Sequence, residues 1–287
     1  MNFCKTISLC WLILVFGFCD AHAKAVEIKV MTFNLRVPVD PVPNDWATRK
    51  PRVISIIKKE SPDFLGVQEA VPQVVTDLAN EFTQYQFIGR GRDADGRGEG
   101  TQIFYRKDRW RLNKLDQGTL QLSPTPDIPG SNAWGMQWPR IFTWALFHER
   151  NSGKSLYVFN THFPLKPQER DLTVQLLANY ISARKQQKTP VILTGDFNAC
   201  EDEASIAYLL GQGASPIAMQ DSYRILHPES KLTTFHAFGT DNDRCKIDYI
   251  FTLGEVDILQ ADIIQDPEGE GFASDHYAVT AKIQIGK

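Results

Sequence analysis

Several apolar runs in this chain stop abruptly at polar residues, and this feature constrains the fold more than any other. The run "VEIKVMTF" stops at Asn34, "DFLGVQ" stops at Glu69, and "SLYVFNT" stops at His162. The run "PVILTG" stops at Asp196, and Asn198 follows two residues later. Short apolar runs with polar boundaries are typical of buried strands. We therefore expect sheets whose strand ends collect carboxylates, amides and imidazoles into one polar pocket.

The C-terminal part of the chain adds further positions of this kind. Asp248 lies early in "CKIDYIF", and Asp275 and His276 open the last apolar run. Carboxylate and amide oxygens suit Mg²⁺ or Mn²⁺ better than structural zinc, and histidines beside acids suit proton transfer near neutral pH. The sequence has neither a nucleophile elbow nor a phosphate loop. This set predicts metal-assisted attack of water on a phosphorus centre.

The first 23 residues have the pattern of a secretory signal peptide. Lys5 precedes an apolar run from Leu9 to Phe18, and Ala-His-Ala at 21–23 provides a cleavage signal. The apolar run is about half the roughly 20 residues that a membrane-spanning helix needs. We therefore expect export, to the periplasm or the medium, and one domain over residues 24–287. No linker, repeat or second long apolar stretch divides this domain, and we expect a monomer without integral membrane contact.

The charge balance excludes a globally basic surface, because the formal net charge is −3 at pH 7. Contact with a polyanion must therefore be local. Arg90, Arg92 and Arg97 lie in the Gly-rich segment 89–100. Two interpretations of these arginines stay open: a solvated loop, or contacts to a polyanionic substrate.

The pattern predicts more strands than helices. Helical spacing is clear over residues 45–59 and 168–186. Because proline fits best in a first helical turn, Pro51 predicts that the first helix becomes regular near Arg49. The Gly- and Pro-rich segments 89–100 and 123–139 read as loops. Many strands without strict strand–helix alternation indicate stacked sheets with helices outside them.

Six motifs in order carry a resemblance to a known family. They are "MTFNLR", "GVQEA", "FNTHF", "LTGDFNA", "KIDYIF" and "ASDHYAV". Together they resemble the endonuclease/exonuclease/phosphatase superfamily, and the match covers residues 27–285. The intervening segments resemble a secreted bacterial group that is nearer to the deadenylase-like branch than to DNase I. The resemblance implies an α/β fold, namely the DNase I-like four-layer α/β/β/α sandwich, with the active site at one end.

The resemblance also implies a metal site and a nucleophile site. Glu69 matches the principal metal ligand, with Asn34 and Asp275 close to the same ion, which would be Mg²⁺ with Mn²⁺ as the alternative. Asp196 matches the acid that polarises the attacking water. Asn198 matches the amide that holds either a phosphate oxygen or this acid.

The remaining implied roles concern acid–base chemistry and phosphate binding. Asp248 and His276 match the family's acid–histidine pair. His162 matches the histidine that protonates the leaving group, and Glu99 matches its carboxylate partner. Arg140 is placed to contact the phosphate. The resemblance does not decide which group is the general base.

The two cysteines outside the signal segment predict a disulfide. Cys200 lies two residues after Asn198, and Cys245 lies three residues before Asp248. Because both catalytic candidates would line one pocket, the two thiols would be neighbours. An exported protein keeps such a pair oxidised, so we predict a Cys200–Cys245 disulfide that closes a loop of about 45 residues.

The substrate remains open between three hypotheses. The first is a phosphodiester, with nucleic acid favoured. The second keeps the chemistry and changes the substrate to a phospholipid or an inositol phosphate. The third is a non-catalytic binding protein on the same fold.

The segment "NTHFPLKPQER" departs from the family pattern, because Pro164 and Lys166 alter the rim beside His162.

Overall fold

The strands form two six-stranded sheets in a computed structural model that describes residues 25–241, 245–266, 269 and 271–286. The predicted signal segment lies outside these residues. In chain order the strands are β1 Val26–Asn34, β2 Phe64–Gln68, β3 Tyr85–Ile88, β4 Ile103–Arg106, β5 Trp110–Gln121, β6 Ile141–Glu149, β7 Ser155–His162, β8 Val191–Asp196, β9 Gln220–Asp221, β10 Asp248–Leu253, β11 Val256–Ile264 and β12 Ala278–Ile285. The first sheet has the order β11-β12-β1-β2-β4-β3, and the second has the order β5-β6-β7-β8-β10-β9.

Helices cover the outer faces of both sheets. They are α1 Trp46–Glu60, α2 Pro72–Glu81, α3 Pro167–Ser182, α4 Ala204–Leu209 and α5 Ser222–Leu226, with a 3₁₀ turn at Ala237–Gly239. One apolar cluster fills the space between the sheets. A second packs α1 and α2 onto the first sheet, and a third packs α3 and α4 onto the second sheet. The molecule is thus the predicted four-layer α/β/β/α sandwich. Within the described residues, none of the helices is both long and apolar enough to cross a bilayer.

The start of α1 corrects one prediction. The helix begins at Trp46 and not near Arg49, so Pro51 lies inside it. Asp45 caps the N-terminus, because its carboxylate accepts hydrogen bonds from the backbone N–H of Thr48 at 3.3 Å and from the Thr48 hydroxyl at 2.6 Å. A good cap stabilises a helix start by about 1 kcal/mol. The cap, and not the proline, therefore determines where this helix begins.

A buried polar network joins the two sheets below their strand ends. The Asn160 Oδ1 atom on β7 accepts from Gln68 Nε2 at 2.7 Å and from Thr194 Oγ1 at 3.0 Å, and Asn160 Nδ2 donates to the Val67 carbonyl at 2.8 Å. Gly66 on β2 makes this approach possible. A Cβ atom at Gly66 would lie 2.3 Å from Thr194 Oγ1 and 2.7 Å from Asn160 Oδ1.

The two cysteines form the predicted disulfide. Cys200 and Cys245 are joined, with their Cα atoms 5.5 Å apart. The bond ties the segment that follows β8 to the segment that precedes β10. These strands are antiparallel neighbours, with Asp196 opposite Asp248, so the disulfide lies just outside the strand ends that carry both acids.

We expect Gly66→Ala to destabilise the fold by about 1–3 kcal/mol, because the added methyl group must displace buried polar atoms. Gly213→Ala is the control. Its Cβ would meet nothing within 4 Å, but its φ is +65°, so it reports the backbone cost alone, about 1 kcal/mol. Urea unfolding measures both. A Gly66→Ala protein as stable as wild type would contradict the proposed close contact between the sheets.

We expect removal of the disulfide to lower the free energy of unfolding by up to about 4 kcal/mol, because it closes a loop with a sequence separation of 45. The measurement compares Cys200→Ala/Cys245→Ala with wild type, each with and without dithiothreitol. Dithiothreitol should destabilise only the wild type. Equal sensitivity of both proteins would show that the reductant acts elsewhere.

Candidate active site

Strand ends from both sheets meet at one edge of the sandwich. In the second sheet, His162 on β7 lies opposite Asp196 on β8, and Asp248 on β10 lies opposite Asp196 from the other side. In the first sheet, Asn34 ends β1 and Glu69 follows β2. The Asn34 Nδ2 atom donates to Asp196 Oδ2 at 2.9 Å and to Glu69 Oε1 at 3.0 Å. The polar strand ends therefore form one cluster, as the sequence predicts.

His276 and Asp248 form a buried acid–histidine pair. The His276 Nδ1 atom lies 2.8 Å from Asp248 Oδ2, and its Nε2 atom lies 3.8 Å from Asp196 Oδ2. Burial lowers the pKa of His276, but the charges of Asp248 and Asp196 outweigh burial and raise it above its usual range. Asp248 therefore fixes the ring orientation and directs Nε2 toward Asp196.

Asp196 has an environment suited to accepting a proton. Burial raises its pKa, and the charge of Asp248 raises it further. Its Oδ1 atom accepts from the Asn198 backbone N–H at 2.9 Å, and its Oδ2 atom accepts from Asn34. A carboxylate with a raised pKa is a more effective base near neutral pH than an exposed one.

Asn198 positions His162 on the other side of Asp196. The Asn198 side chain donates from Nδ2 to His162 Nε2 at 3.0 Å and to the Phe163 carbonyl at 3.0 Å. Its φ of +49° lies in the left-handed region, which Asn tolerates better than most residues. Burial lowers the pKa of His162 well below its usual value, and the charges of Arg140 and His276 lower it further. His162 is therefore neutral in the free protein.

Glu99 lies beside His162, but its hydrogen bonds go elsewhere. Its two carboxylate oxygens accept from Arg92 at 2.9 and 2.8 Å. Ligating atoms of Glu99, Glu69 and His162 nevertheless lie within 4.8 Å of one another. The structure brings Glu99 to the predicted place and pairs it with a loop arginine.

The arginines of segment 89–100 are engaged within the protein. Arg92 is buried between Glu99 and the ring of Trp138, whose centroid is 5.3 Å from the guanidinium carbon. Arg97 forms an ion pair with Asp95, and Arg90 donates to backbone carbonyls of its own loop. Arg92 is therefore neither a solvated loop residue nor a free contact for a polyanionic substrate, because it has a structural role within the protein.

The predicted metal ligands fit a hard divalent cation. Burial raises the pKa of Asp275, and repulsion by the charge of Glu69 acts in the same direction, against the charges of His276 and Arg36. A cation between carboxylate oxygens would relieve this repulsion, and oxygen donors are those that Mg²⁺ and Mn²⁺ prefer. Asn34 presents its nitrogen to Glu69, while its Oδ1 accepts from the Arg36 N–H at 3.0 Å. In this arrangement Asn34 orients the carboxylates, and its role as a ligand stays a prediction.

Arg140 is a buried cation that forms no direct ion pair among the described residues, although the charges of Glu99, Asp196 and Glu69 act on it. Only 6% of its surface is exposed, and among the described contacts its guanidinium has neither a hydrogen bond nor an ion pair. It lines the same small cavity as His162 and Glu99. Burial lowers its pKa, and the charge of Glu99 opposes this effect. A buried charge without a partner is costly, so this position favours binding of an anion.

Arg49 supports the site, although it lies outside the six motifs. It is fully buried and donates to the carbonyls of Leu35 at 2.8 Å, Ala273 at 2.8 Å and Arg36 at 3.0 Å. It thus locks the backbone next to Asn34 to the backbone before Asp275. The helical pattern of the sequence could have indicated that Arg49 is buried, because it lies on the same face of α1 as Trp46, Val53 and Ile57.

Comparisons with known proteins point to one family. The family model described as "Endonuclease/Exonuclease/phosphatase family" matches residues 31–276. The endonuclease/exonuclease/phosphatase from Bacteroides vulgatus is 30% identical, with a TM-score of 0.81 over 91% of this chain and 99% of that chain. The mannosyl-6-phosphatase of Bacteroides thetaiotaomicron is 26% identical, with a TM-score of 0.79 over 89% of this chain and 99% of that chain.

A similarity to Nocturnin of Drosophila melanogaster extends over 250 residues at 24% identity, or 76% of this chain. The chain covers 59% of the length of a related protein from Acanthamoeba polyphaga mimivirus and 37% of the length of Nocturnin, so it spans less than two thirds of either relative.

We expect Mg²⁺ or Mn²⁺ to raise the melting temperature of the wild-type protein, because a cation that binds only the folded state stabilises it. Glu69→Gln should lose most of this shift, whereas Glu229→Gln, on an exposed loop, should keep it. Thermal unfolding with each ion and with EDTA measures the effect. An equal shift in wild type and Glu69→Gln would contradict a site at Glu69.

We expect Arg49→Lys to destabilise the protein by about 2 kcal/mol, because lysine cannot replace a buried guanidinium that binds several carbonyls. The apparent metal affinity should fall as well, since the backbone beside Asn34 and Asp275 is released. Arg52→Lys is the matched control, because Arg52 lies on the same helix and, among the described residues, donates to a single carbonyl, that of Phe272 at 3.3 Å. Urea unfolding and metal titration measure both effects. Unchanged metal affinity in a destabilised Arg49→Lys protein would leave Arg49 with a purely structural role.

Proposed function

Since the chain belongs to the endonuclease/exonuclease/phosphatase family, whose members are hydrolytic phosphoesterases, we propose that it is a divalent-metal-dependent phosphoesterase in which water attacks phosphorus. One observation carries the proposal. Arg140 is a buried guanidinium without a direct partner among the described residues, and it lines the same cavity as His162 and Glu99. A phosphoryl group supplies the anion that this position lacks, because a guanidinium matches two phosphate oxygens at once.

Glu69 and Asp275 would hold Mg²⁺ or Mn²⁺. The bound ion would supply Lewis-acid stabilisation of the charge on the phosphate. Arg140 would hold the phosphoryl oxygens from the other side. The substrate would thus lie between the carboxylates of the first-sheet loops and the guanidinium of the second sheet.

Asp196 and His276 would act on the attacking water. Asp196 has a raised pKa and is held by Asn34 and the Asn198 N–H. His276 directs Nε2 toward the same carboxylate. Asp196 would take the proton, because the raised pKa of His276 keeps its ring protonated. The Asp248 contact would hold the imidazolium beside Asp196.

His162 would act on the leaving group. The neutral ring cannot donate from Nε2 in the free protein, because Asn198 already donates to that atom. An anionic phosphate would offset the positive charge of Arg140, one cause of the lowered pKa of His162. Substrate binding would therefore raise the pKa of His162 and prepare it to protonate the leaving oxygen.

We favour a small phosphate ester as the substrate, and we place the enzyme outside the cytoplasm. The signal-like segment 1–23 supports export. The sequence favours a nucleic-acid diester, but Arg92 is buried and paired with Glu99 and Arg97 is paired with Asp95, which weakens the local basic contact that this substrate needs. The relative named mannosyl-6-phosphatase is 26% identical and supports a small ester. A nucleic-acid diester and a phospholipid or inositol phosphate are the alternatives.

A hydrolysis panel tests the reaction and the substrate class. The purified protein is assayed with Mg²⁺, Mn²⁺ or EDTA on p-nitrophenyl phosphate, bis(p-nitrophenyl) phosphate, duplex DNA, single-stranded RNA, sphingomyelin and inositol hexakisphosphate. We expect metal-dependent hydrolysis of the small esters. Preferred cleavage of DNA, RNA, sphingomyelin or the inositol phosphate would favour the corresponding alternative, and no hydrolysis at all would favour a binding protein.

Variants test the assigned roles. We expect Arg140→Met to lower kcat/KM by about 10²–10³-fold, because the phosphate loses its guanidinium, and His276→Asn to lower it by about 10²-fold or more. Arg97→Met is the control, because Arg97 is exposed and paired with Asp95. Full activity in Arg140→Met would refute phosphate binding by this residue.

A further inference from the structure

A small cavity adjoins the candidate active site at Arg140. Its volume is about 60 Å³, and its walls include Trp138, Leu165, Lys166 and Glu169. Arg140 also lines the cavity that contains His162 and Glu99. Both cavities are therefore lined by the residue that we assign to the phosphate.

The walls of this cavity combine an aromatic face with a donor and an acceptor. Trp138 is 43% exposed, and the guanidinium carbon of Arg92 lies 5.3 Å from the centroid of its ring. The Lys166 Nζ atom donates to Glu169 Oε1 at 3.0 Å. The Glu169 carboxylate is buried, whereas the Lys166 side chain is 66% exposed. An ammonium group has three donors, so Lys166 can bind a ligand without losing Glu169.

The segment that carries Lys166 is held in place. It follows directly from His162, whose neighbour Phe163 packs against Phe197 with ring centroids 4.8 Å apart. The carbonyl of Leu165 accepts from Arg170 Nη1 at 2.5 Å. Arg170 is itself buried and paired with Glu203. The wall beyond His162 is therefore preorganised and does not need to fold around a ligand.

We propose that this cavity, between Trp138 and the Lys166–Glu169 pair, is a leaving-group subsite for a hydroxyl-rich group such as a sugar or a polyol. The proposal rests on the proposed function, because it assigns the phosphate to Arg140 and protonation of the leaving oxygen to His162. A group that departs past His162 meets the chain at Pro164 to Lys166, which forms the wall of the cavity.

The chemistry of the walls selects the class of leaving group. A hydroxyl both donates and accepts, so vicinal hydroxyls match the Lys166 ammonium and the Glu169 carboxylate together. A second anion would meet the carboxylate of Glu169, which opposes it. A purely apolar group would leave both charged groups without partners. The small volume admits one edge of a ring, while the indole of Trp138 supports its face.

Two phosphate monoesters of the same shape test the proposal. Glucose 6-phosphate and cyclohexylmethyl phosphate both release a primary alkoxide next to a six-membered ring, but only the first carries hydroxyls. We expect wild type to prefer glucose 6-phosphate by about tenfold or more in kcat/KM, as hydrogen bonds to charged groups allow. Lys166→Met should abolish most of this preference, and Trp138→Ala should lower kcat/KM for both esters.

The controls are Lys188→Met, an exposed lysine beyond α3, and Phe87→Ala, an aromatic residue on β3 that is 42% exposed. Both should retain the wild-type preference. Equal use of the two esters by wild type, or an unchanged preference in Lys166→Met, would overturn the subsite. So would a preference for thymidine 5′-(p-nitrophenyl phosphate) that Trp138→Ala removes, since the cavity would then bind a base.

The same assay separates this proposal from the proposed function. Hydrolysis of p-nitrophenyl phosphate with Mg²⁺ or Mn²⁺, without any preference for the hydroxylated ester, rejects only the subsite. Failure to hydrolyse any of these esters and any other substrate of the hydrolysis panel rejects the proposed function and the subsite with it.

Discussion

The hydrogen bond between the Asn34 amide and the Asp196 carboxylate links residues that are 162 positions apart, one from each sheet. Both groups are buried, so each needs the other as a partner. The bond forms only if the two sheets approach closely, and Gly66 allows this approach because it has no Cβ atom to collide with Thr194. Close packing of the sheets and assembly of the site are therefore one and the same constraint.

The parts of the fold that the sequence predicts are those in which burial imposes a pattern. Central strands such as β1, β7 and β8 are buried along nearly their whole length, so their apolar runs and polar ends are visible. The strands β5 and β11 were not predicted. Both lie at sheet edges, and each has a register shift, between Leu112 and Gln117 and between Ile258 and Gln260. A shifted, half-exposed strand loses the alternation that identifies it.

The candidate site shows the same division. The strand-end positions of His162, Asp196 and Asp248 follow from the sequence, because strand pairing alone brings them together. The hydrogen-bond partner of Glu99 does not follow from the sequence, because the choice between His162 and Arg92 depends on how the loop folds in three dimensions. The spacing of residues along the chain does not determine that choice. Glu69 is a further case, with φ at +58°, a conformation that is costly for a non-glycine residue and is frequently found at functional sites.

The site has two sides of opposite charge, and this asymmetry explains why neither side is complete alone. Carboxylates dominate where Glu69 and Asp275 lie, and burial makes their mutual repulsion stronger than it would be in water. Arg140 stands on the other side without a direct ion pair among the described residues. In the proposed function, a divalent cation would bind on the first side and a phosphate on the second, and the two ligands would attract each other. Each ligand would therefore improve the environment of the other, because the charge that one brings would be partly neutralised by the other.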